Sequence, residues 1–260
     1  MSGFESCNTF KVQLRYRAVF DMGIGVKAVF FDAGGTLVDS RVGLPLRAKF
    51  LAERLRRLGY DYGESEILGA LREVGEYVRS LGTDMEYSRR YLLTLMLLKL
   101  GLRGCIYRIL EPLYEAYREA VLSDVYAYED SISVLETLKR RGFLLGLISN
   151  TTDYESLRDI LKRFGMFELF DSIAASVLTL WRKPRREIFL YALSQVDVKP
   201  REAVHIGDSL KNDIAGAKNV GMYAVWKVRN KQSLDSIQAP AKPDFVVEKL
   251  SEVLDFVELV

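Results

Sequence analysis

Residues 26–40 read VKAVFFDAGGTLVDS, an apolar run followed by an aspartate, two glycines and a threonine where the run stops. The run lacks polar alternation, which predicts a strand buried on both faces, as in a parallel sheet. Such a strand can place a carboxylate only at its carboxyl end, where open α/β sheets bind ligands, so Asp32 is the candidate reactive group. Gly34 and Gly35 let the backbone turn tightly and approach whatever Asp32 faces. On these residues alone, a strand closed by a turn aspartate is an equal alternative.

Working outward, the periodicity turns helical after Ser40 and stays so for about eighty residues. Leu46, Phe50, Leu51, Leu55 and Leu58 mark an amphipathic helix ended by Gly59, and further helices are predicted over 65–80, 86–100 and 105–122. The helically spaced Tyr91, Leu95, Leu98, Tyr107, Leu110, Tyr114 and Tyr117 read as core in preference to the lining of a cavity. A helix over 129–141 precedes the next strand, FLLGLIS at 143–149. A parallel crossover needs little more than a dozen residues, yet about 110 separate these two strands, so an all-helical domain, residues 41–125, is inserted between them.

Beyond it, helices at 154–164, 185–195 and 212–219 alternate with strands at 172–176, 203–206 and 222–226, and a helix begins at 250. Pro184 suits the first turn of the second of these helices. The pattern predicts an α/β fold, a doubly wound parallel sheet built from residues 22–40 and 126–260. Residues 1–21 read as a terminal extension, with Met22 a plausible alternative start.

Composition bounds the function. The 260 residues are 49% hydrophobic and 28% charged with a net charge of +2, and the basic residues are dispersed among acidic ones, which supports neither a nucleic-acid nor a membrane partner. Cys7 and Cys105 show no metal-ligand spacing and cannot form a disulfide framework, as expected of a reducing cytoplasm. No signal peptide or membrane span is evident. Nothing in the chain indicates an oligomeric state.

Polar chemistry gathers at the strand ends. The first ends in Asp32, the second in Ser149 followed by Asn150, Thr151 and Thr152, and the fourth in Gly207 and Asp208 of IGDSLKND, with Asp213 beyond; Lys183 stands between them in RKPRREIF. Each has an ordinary structural reading: Ser149 as a cap, Lys183 as a solvated lysine, Asp208 and Asp213 as helix-start carboxylates. As an ordered set, coincidence is improbable.

FFDAGGTLVDS, LLGLISNTTD, RKPRREIF and VHIGDSLKNDIAGAKNVGM together resemble the haloacid dehalogenase superfamily of hydrolases, mostly phosphatases, with a helical cap inserted after the first motif. The resemblance covers 26 to about 258 and implies a Rossmann-like core whose first strand is flanked by the second and fourth. It further implies a small phosphorylated substrate and Mg²⁺, with Asp32 as the nucleophile forming an aspartyl-phosphate. Asp32, Asp208 and the backbone carbonyl of Gly34 would hold the metal. Ser149, Asn150 with its backbone N–H, and Lys183 would hold the phosphoryl oxygens, while Asp213 would orient the metal's water or Lys183 from behind.

Two positions depart from that pattern. Gly34 stands where these phosphatases carry an acid/base aspartate, a group worth about 10² to 10⁴ in rate; Asp39 could substitute through a water, but nothing in the sequence requires it. Leu180 and Trp181 stand where a glycine usually precedes the lysine motif. The alternatives are a non-catalytic phosphate-binding member and a dehalogenase-type hydrolase, whose halide leaves without a proton. His205, inside the fourth strand, reads as a core residue.

Overall fold

The computed structural model describes residues 25–104, 106–228 and 241–257. The expected extension over 1–21, the Met22 start, Cys7 and Cys105 lie outside them. In chain order, β1 (Ala28–Phe31) turns into β2 (Val38–Ser40), followed by α1 (Leu44–Arg57), α2 (Glu64–Ser80), α3 (Arg89–Lys99) and α4 (Ile106–Asp124). β3 (Val125–Ala127) then returns antiparallel to β2. Next come α5 (Ser131–Arg140), β4 (Leu144–Ser149), α6 (Tyr154–Arg163), β5 (Ser172–Ala175), the single turn α7 (Ser176–Thr179) and α8 (Arg186–Ser194). The described chain closes with β6 (Ala203–Gly207), α9 (Ala215–Val220), β7 (Tyr223–Lys227), β8 (Phe245–Val247) and α10 (Glu252–Val257).

The six-stranded sheet has the order β5-β4-β1-β6-β7-β8, all parallel, so β1 lies between β4 and β6 as the resemblance implied. Residues alternate across β1. Val29 and Phe31 pack with α5, α6 and α10, while Ala28 and Phe30 pack with α8 and α9. All are fully buried, which is why the run shows no polar alternation. Burying a side chain of this size contributes about 1.5–3 kcal/mol, so β1 anchors both halves of the sandwich and fixes where its carboxyl end lies.

Helices α1 to α4 share a core of their own, with Leu51, Leu55, Leu93, Met96 and Leu113 fully buried. Tyr114 and Tyr117 are buried in it, whereas Tyr91, Leu98 and Tyr107 are exposed. Among the described residues no helix is long and apolar enough to cross a membrane.

Several local expectations change. The β2–β3 ribbon and β8 carry three residues each, too few to show a period, and neither was expected. The helix expected from Glu86 starts at Arg89, because Ser88 caps it by accepting the Tyr91 N–H. Pro184 is outside α8: its bond to Lys183 is cis, and Arg185 is the residue before the first turn.

Residues 84–86 instead run against the core. Met85 and Trp181 form an antiparallel bridge, the Glu86 N–H donates to the Leu180 carbonyl at 2.8 Å, and the Arg182 N–H donates to that of Asp84 at 2.9 Å. The buried Glu86 carboxylate accepts from Ser176 Oγ at 2.7 Å and from Arg182 at 3.1 Å.

Candidate active site

β1, β4 and β6 deliver their terminal polar residues to one edge of the sheet. Asp32 follows β1, its N–H held by the Ile206 carbonyl of β6 at 2.9 Å. Lys183 Nζ, buried, reaches Asp32 Oδ1 at 2.5 Å, Asp213 Oδ1 at 2.6 Å and the Ile148 carbonyl at 2.6 Å. An ammonium has three N–H donors, and here each has an acceptor. Asn150 holds the lysine's backbone at two points: its Oδ1 accepts the Lys183 N–H at 2.7 Å and its Nδ2 donates to the Lys183 carbonyl at 3.1 Å. Its amide is therefore committed to positioning Lys183.

Asp213 comes from an irregular turn. The Ser209 carbonyl accepts from both Asp213 N and Ile214 N, a wide i→i+5 turn, and Asp213 Oδ2 accepts the Ser209 N–H in return at 3.0 Å. The carboxylate is folded back so closely over β6 that a Cβ at Gly207 would collide with it. Gly35, at φ +79°, is equally constrained, since a Cβ there would strike the Asp208 carboxylate. Gly34 differs. It is outside the left-handed region, contrary to the case a tight turn suggests, and a Cβ on it would meet nothing within 4 Å.

Burial pushes the Asp32 carboxyl up; Lys183 opposes this, and the neighbouring Asp213 and Asp208 charges add to it, leaving it at about 7. Burial acts on Asp213 in the same sense, but Lys183 and His205 outweigh it and hold that carboxyl well below the usual range. Lys183 is raised despite its burial, by Asp213 and Asp32. His205 is fully buried as expected, edge-on to Phe189, and burial lowers its pKa. The neutral ring donates from Nε2 to Asp213 Oδ1 at 3.0 Å, so this core residue also supports the cluster.

Carboxylate oxygens of Asp32, Asp208 and Asp213 lie within 4.8 Å of one another and could hold a metal ion. The donor set contains only oxygen, which fits a hard divalent cation. Both oxygens of Asp213 already face Lys183, His205 and the Ser209 N–H.

A residue 26–221 segment matches the sequence profile of the haloacid dehalogenase-like hydrolases. The chain belongs to that family. This family member is 30% identical over 243 residues to a glyceraldehyde 3-phosphate phosphatase of Methanopyrus kandleri, covering 89% of this chain and 97% of that one. It is 28% identical to a ribulose-1,5-bisphosphate 5-phosphatase of Halopiger xanaduensis, covering 88% and 98%. Among solved structures, it resembles a phosphatase of the family from Thermococcus onnurineus with a TM-score of 0.63 and 29% identity, covering 89% and 98%.

The hydrolase's cavity of about 310 Å³ lies between this edge and the helices, lined by Gly34, Ser149, Asn150 and Thr151 and, from the helical side, by Arg47, Arg89 and Tyr117. Ser149 is buried at its wall. The Thr151 N–H is already donated to Ser176 Oγ at 2.8 Å, which removes it as a ligand donor. Asp39, expected as a substitute acid, lines a different cavity, beside Lys227, and accepts from Tyr128 Oη at 3.0 Å. The ribbon explains this: β2 pairs with β3 and carries Asp39 away from Asp32.

Sequence reasoning missed the residues that brace the edge. Lys227 Nζ donates to the Gly35 carbonyl at 3.1 Å and Trp226 Nε1 to that of Asp208 at 2.8 Å. Both end β7, and the position after an apolar strand was the available signal. Leu180 occupies φ +67°, the left-handed conformation that suits the glycine expected there.

Proposed function

We propose that the protein is a Mg²⁺-dependent phosphohydrolase acting on a small phosphorylated metabolite. The observation that carries this is the buried Asp32–Lys183–Asp213 chain at the sheet's edge, with Asp208 beside it and a cavity lined by the adjacent Ala33 and Gly34 and by Ser149. Asp32 attacks phosphorus, forming the aspartyl-phosphate as the bond to the leaving oxygen breaks; water then cleaves the acyl phosphate and frees Asp32. Asp32, Asp208 and the Gly34 carbonyl would hold the cation, which when bound neutralises charge between carboxylate and phosphate. Ser149 and the Asn150 backbone hold phosphoryl oxygens, and Lys183 offsets the charge that develops on them. Asp213 keeps Lys183 charged and aimed.

Relatives named for glyceraldehyde 3-phosphate and ribulose bisphosphate support a short phosphorylated carbon chain as substrate. Helices α1 to α4, which contribute Arg47, Arg89 and Tyr117 to the cavity, act as the cap, and residues 41–125 form the corresponding domain. Among the described residues no carboxylate from position 34 lines the cavity, so a leaving oxygen departs without that acid. The three gathered carboxylates argue against halide displacement, which needs no cation.

The test is phosphate release from p-nitrophenyl phosphate and a panel of sugar and small-acid phosphates. Activity should vanish in chelator, return with Mg²⁺, and fall to background in Asp32→Asn protein that unfolds cooperatively. Turnover by Asp32→Asn would remove the mechanism, and turnover in chelator the cation's role.

A further inference from the structure

On the helical side of the cavity, positive charge is matched by only one carboxylate, and that at long range. Arg90 pairs with Glu111 and Glu155, and Arg118 with Glu155 and Asp159. Arg47 and Arg89 face the cavity instead. Arg89, the first residue of α3, donates to Thr152 Oγ1 at 2.7 Å and reaches no carboxylate among the described residues. Arg47 of α1 reaches only Asp124, at 3.9 Å, whose oxygens already accept the Val42 and Gly43 N–H groups at 2.8 and 2.6 Å. In both arginines the Nε is buried with no hydrogen-bond partner among the described residues. Their guanidinium carbons lie 6.0 and 4.2 Å from the ring centre of Tyr117, so one aromatic ring is shared by both.

The cavity's one acidic lining residue does not answer this charge. Asp153 Oδ1 accepts from Tyr114 Oη at 2.6 Å and from the Glu155 and Ser156 N–H groups, and Oδ2 accepts from Ser156 Oγ at 2.5 Å. Two guanidinium forks therefore share with Gly34 and Ser149, the proposed phosphoryl end, a cavity of about ten water volumes. Fork-shaped donors match carboxylate and phosphate oxygens.

We propose that Arg47 and Arg89 bind a second anionic group on the substrate, a carboxylate or a second phosphate a few atoms from the transferred phosphoryl. The inference rests on the phosphohydrolase reading and narrows it: the preferred substrate is a small phosphorylated acid or a bisphosphate, and monophosphates with a neutral tail are poor.

Affinity of Asp32→Asn protein for matched probes tests this without turnover: 2-phosphoglycolate against 2-hydroxyethyl phosphate, which differ only in the carboxylate, and ribulose 1,5-bisphosphate for a second phosphate. A charge-assisted pair should make at least one anionic probe bind about 10-fold or more tightly than the neutral one, and the tighter arm identifies the group. Adding Arg89→Met or Arg47→Met should shrink that ratio by about 10-fold, with Arg89→Lys intermediate because it keeps charge and loses the fork. The same ratio in wild-type kcat/KM should move in parallel. Equal affinity for the neutral and both anionic probes, or a ratio unchanged in Arg variants that melt cooperatively, overturns the inference alone. Failure to bind any phosphorylated probe overturns it together with the phosphohydrolase reading. Should a Met variant not fold, the wild-type ratio decides.

Discussion

The two sides of the cavity handle buried charge in opposite ways. At the sheet's edge every charge has a partner: Lys183 meets three acceptors, and Asp213 meets lysine, histidine and a backbone N–H. On the helical side, Arg47 and Arg89 are held by an aromatic ring and a threonine, with no close carboxylate among the described residues beyond Asp124. A closed network keeps a reactive group in place between turnovers, whereas an open pair of cations leaves work for a ligand to complete. On the proposed reading, chemistry and selection are built on different elements, the one on strand ends and the other on helices.

Lys183→Met breaks the closed side most severely. It leaves the Asp32 and Asp213 carboxylates buried and facing each other, and should lower stability by about 3–5 kcal/mol. Denaturant unfolding at pH 8 and at pH 5.5 checks this; the loss should be smaller at the lower pH, where Asp32 can accept a proton.

Gly34→Asp adds a carboxylate at the boundary between the two sides. Because no atom lies within 4 Å of the new Cβ and the backbone is not left-handed, the variant should fold. It should raise alkyl phosphate turnover about 10- to 100-fold, within the range of a general acid, and aryl phosphate turnover less. Wild type should strongly prefer aryl over alkyl phosphates. Equal rates in wild type, with no gain in the folded variant, would mean that another group supplies the proton.

Asp32→Asn probes the same network through pH. Asp32 titrates near pH 7 in the fold and near 3.8 when free, so the native state holds a proton that the unfolded chain has lost, and wild-type stability falls as pH rises from about 4 to about 7. The amide escapes this. Metal-free Asp32→Asn should therefore exceed wild type by about 1–3 kcal/mol at pH 8, with the gap closing towards pH 4. Asp213 works in the reverse sense: its contribution is present above the ordinary carboxylate pKa and is lost as acid protonates it.

The smallest effect concerns the loop joining the two sides. Leu180→Gly relieves a left-handed leucine but adds freedom to the unfolded chain, for a net gain of about 0.5–1 kcal/mol. A melting temperature raised by about 1–3 °C would show it.

What could be read from the chain follows the same division. Asp32, Ser149, Lys183, Asp208 and Asp213 were legible as an ordered set at and between strand ends, although each alone has an ordinary structural reading. Arg47 and Arg89 were not. An arginine on an amphipathic helix is locally indistinguishable from the many others among 37 basic residues, and only the tertiary fold shows which lack carboxylates. The β2–β3 ribbon was too short to announce itself, so Asp39 remained a plausible acid until pairing carried it elsewhere. Gly34 was read as a turn glycine, yet Gly35 carries the left-handed conformation.

The bridge between Met85 and Trp181 ties these halves mechanically. Residues 84–86 grip 180–182, and the next residue along is Lys183. A displacement of residues 84–86 would act through these contacts on the segment that presents the lysine to Asp32. The helical domain and the segment carrying Lys183 are thus joined by backbone hydrogen bonds one residue away from the buried ion pair.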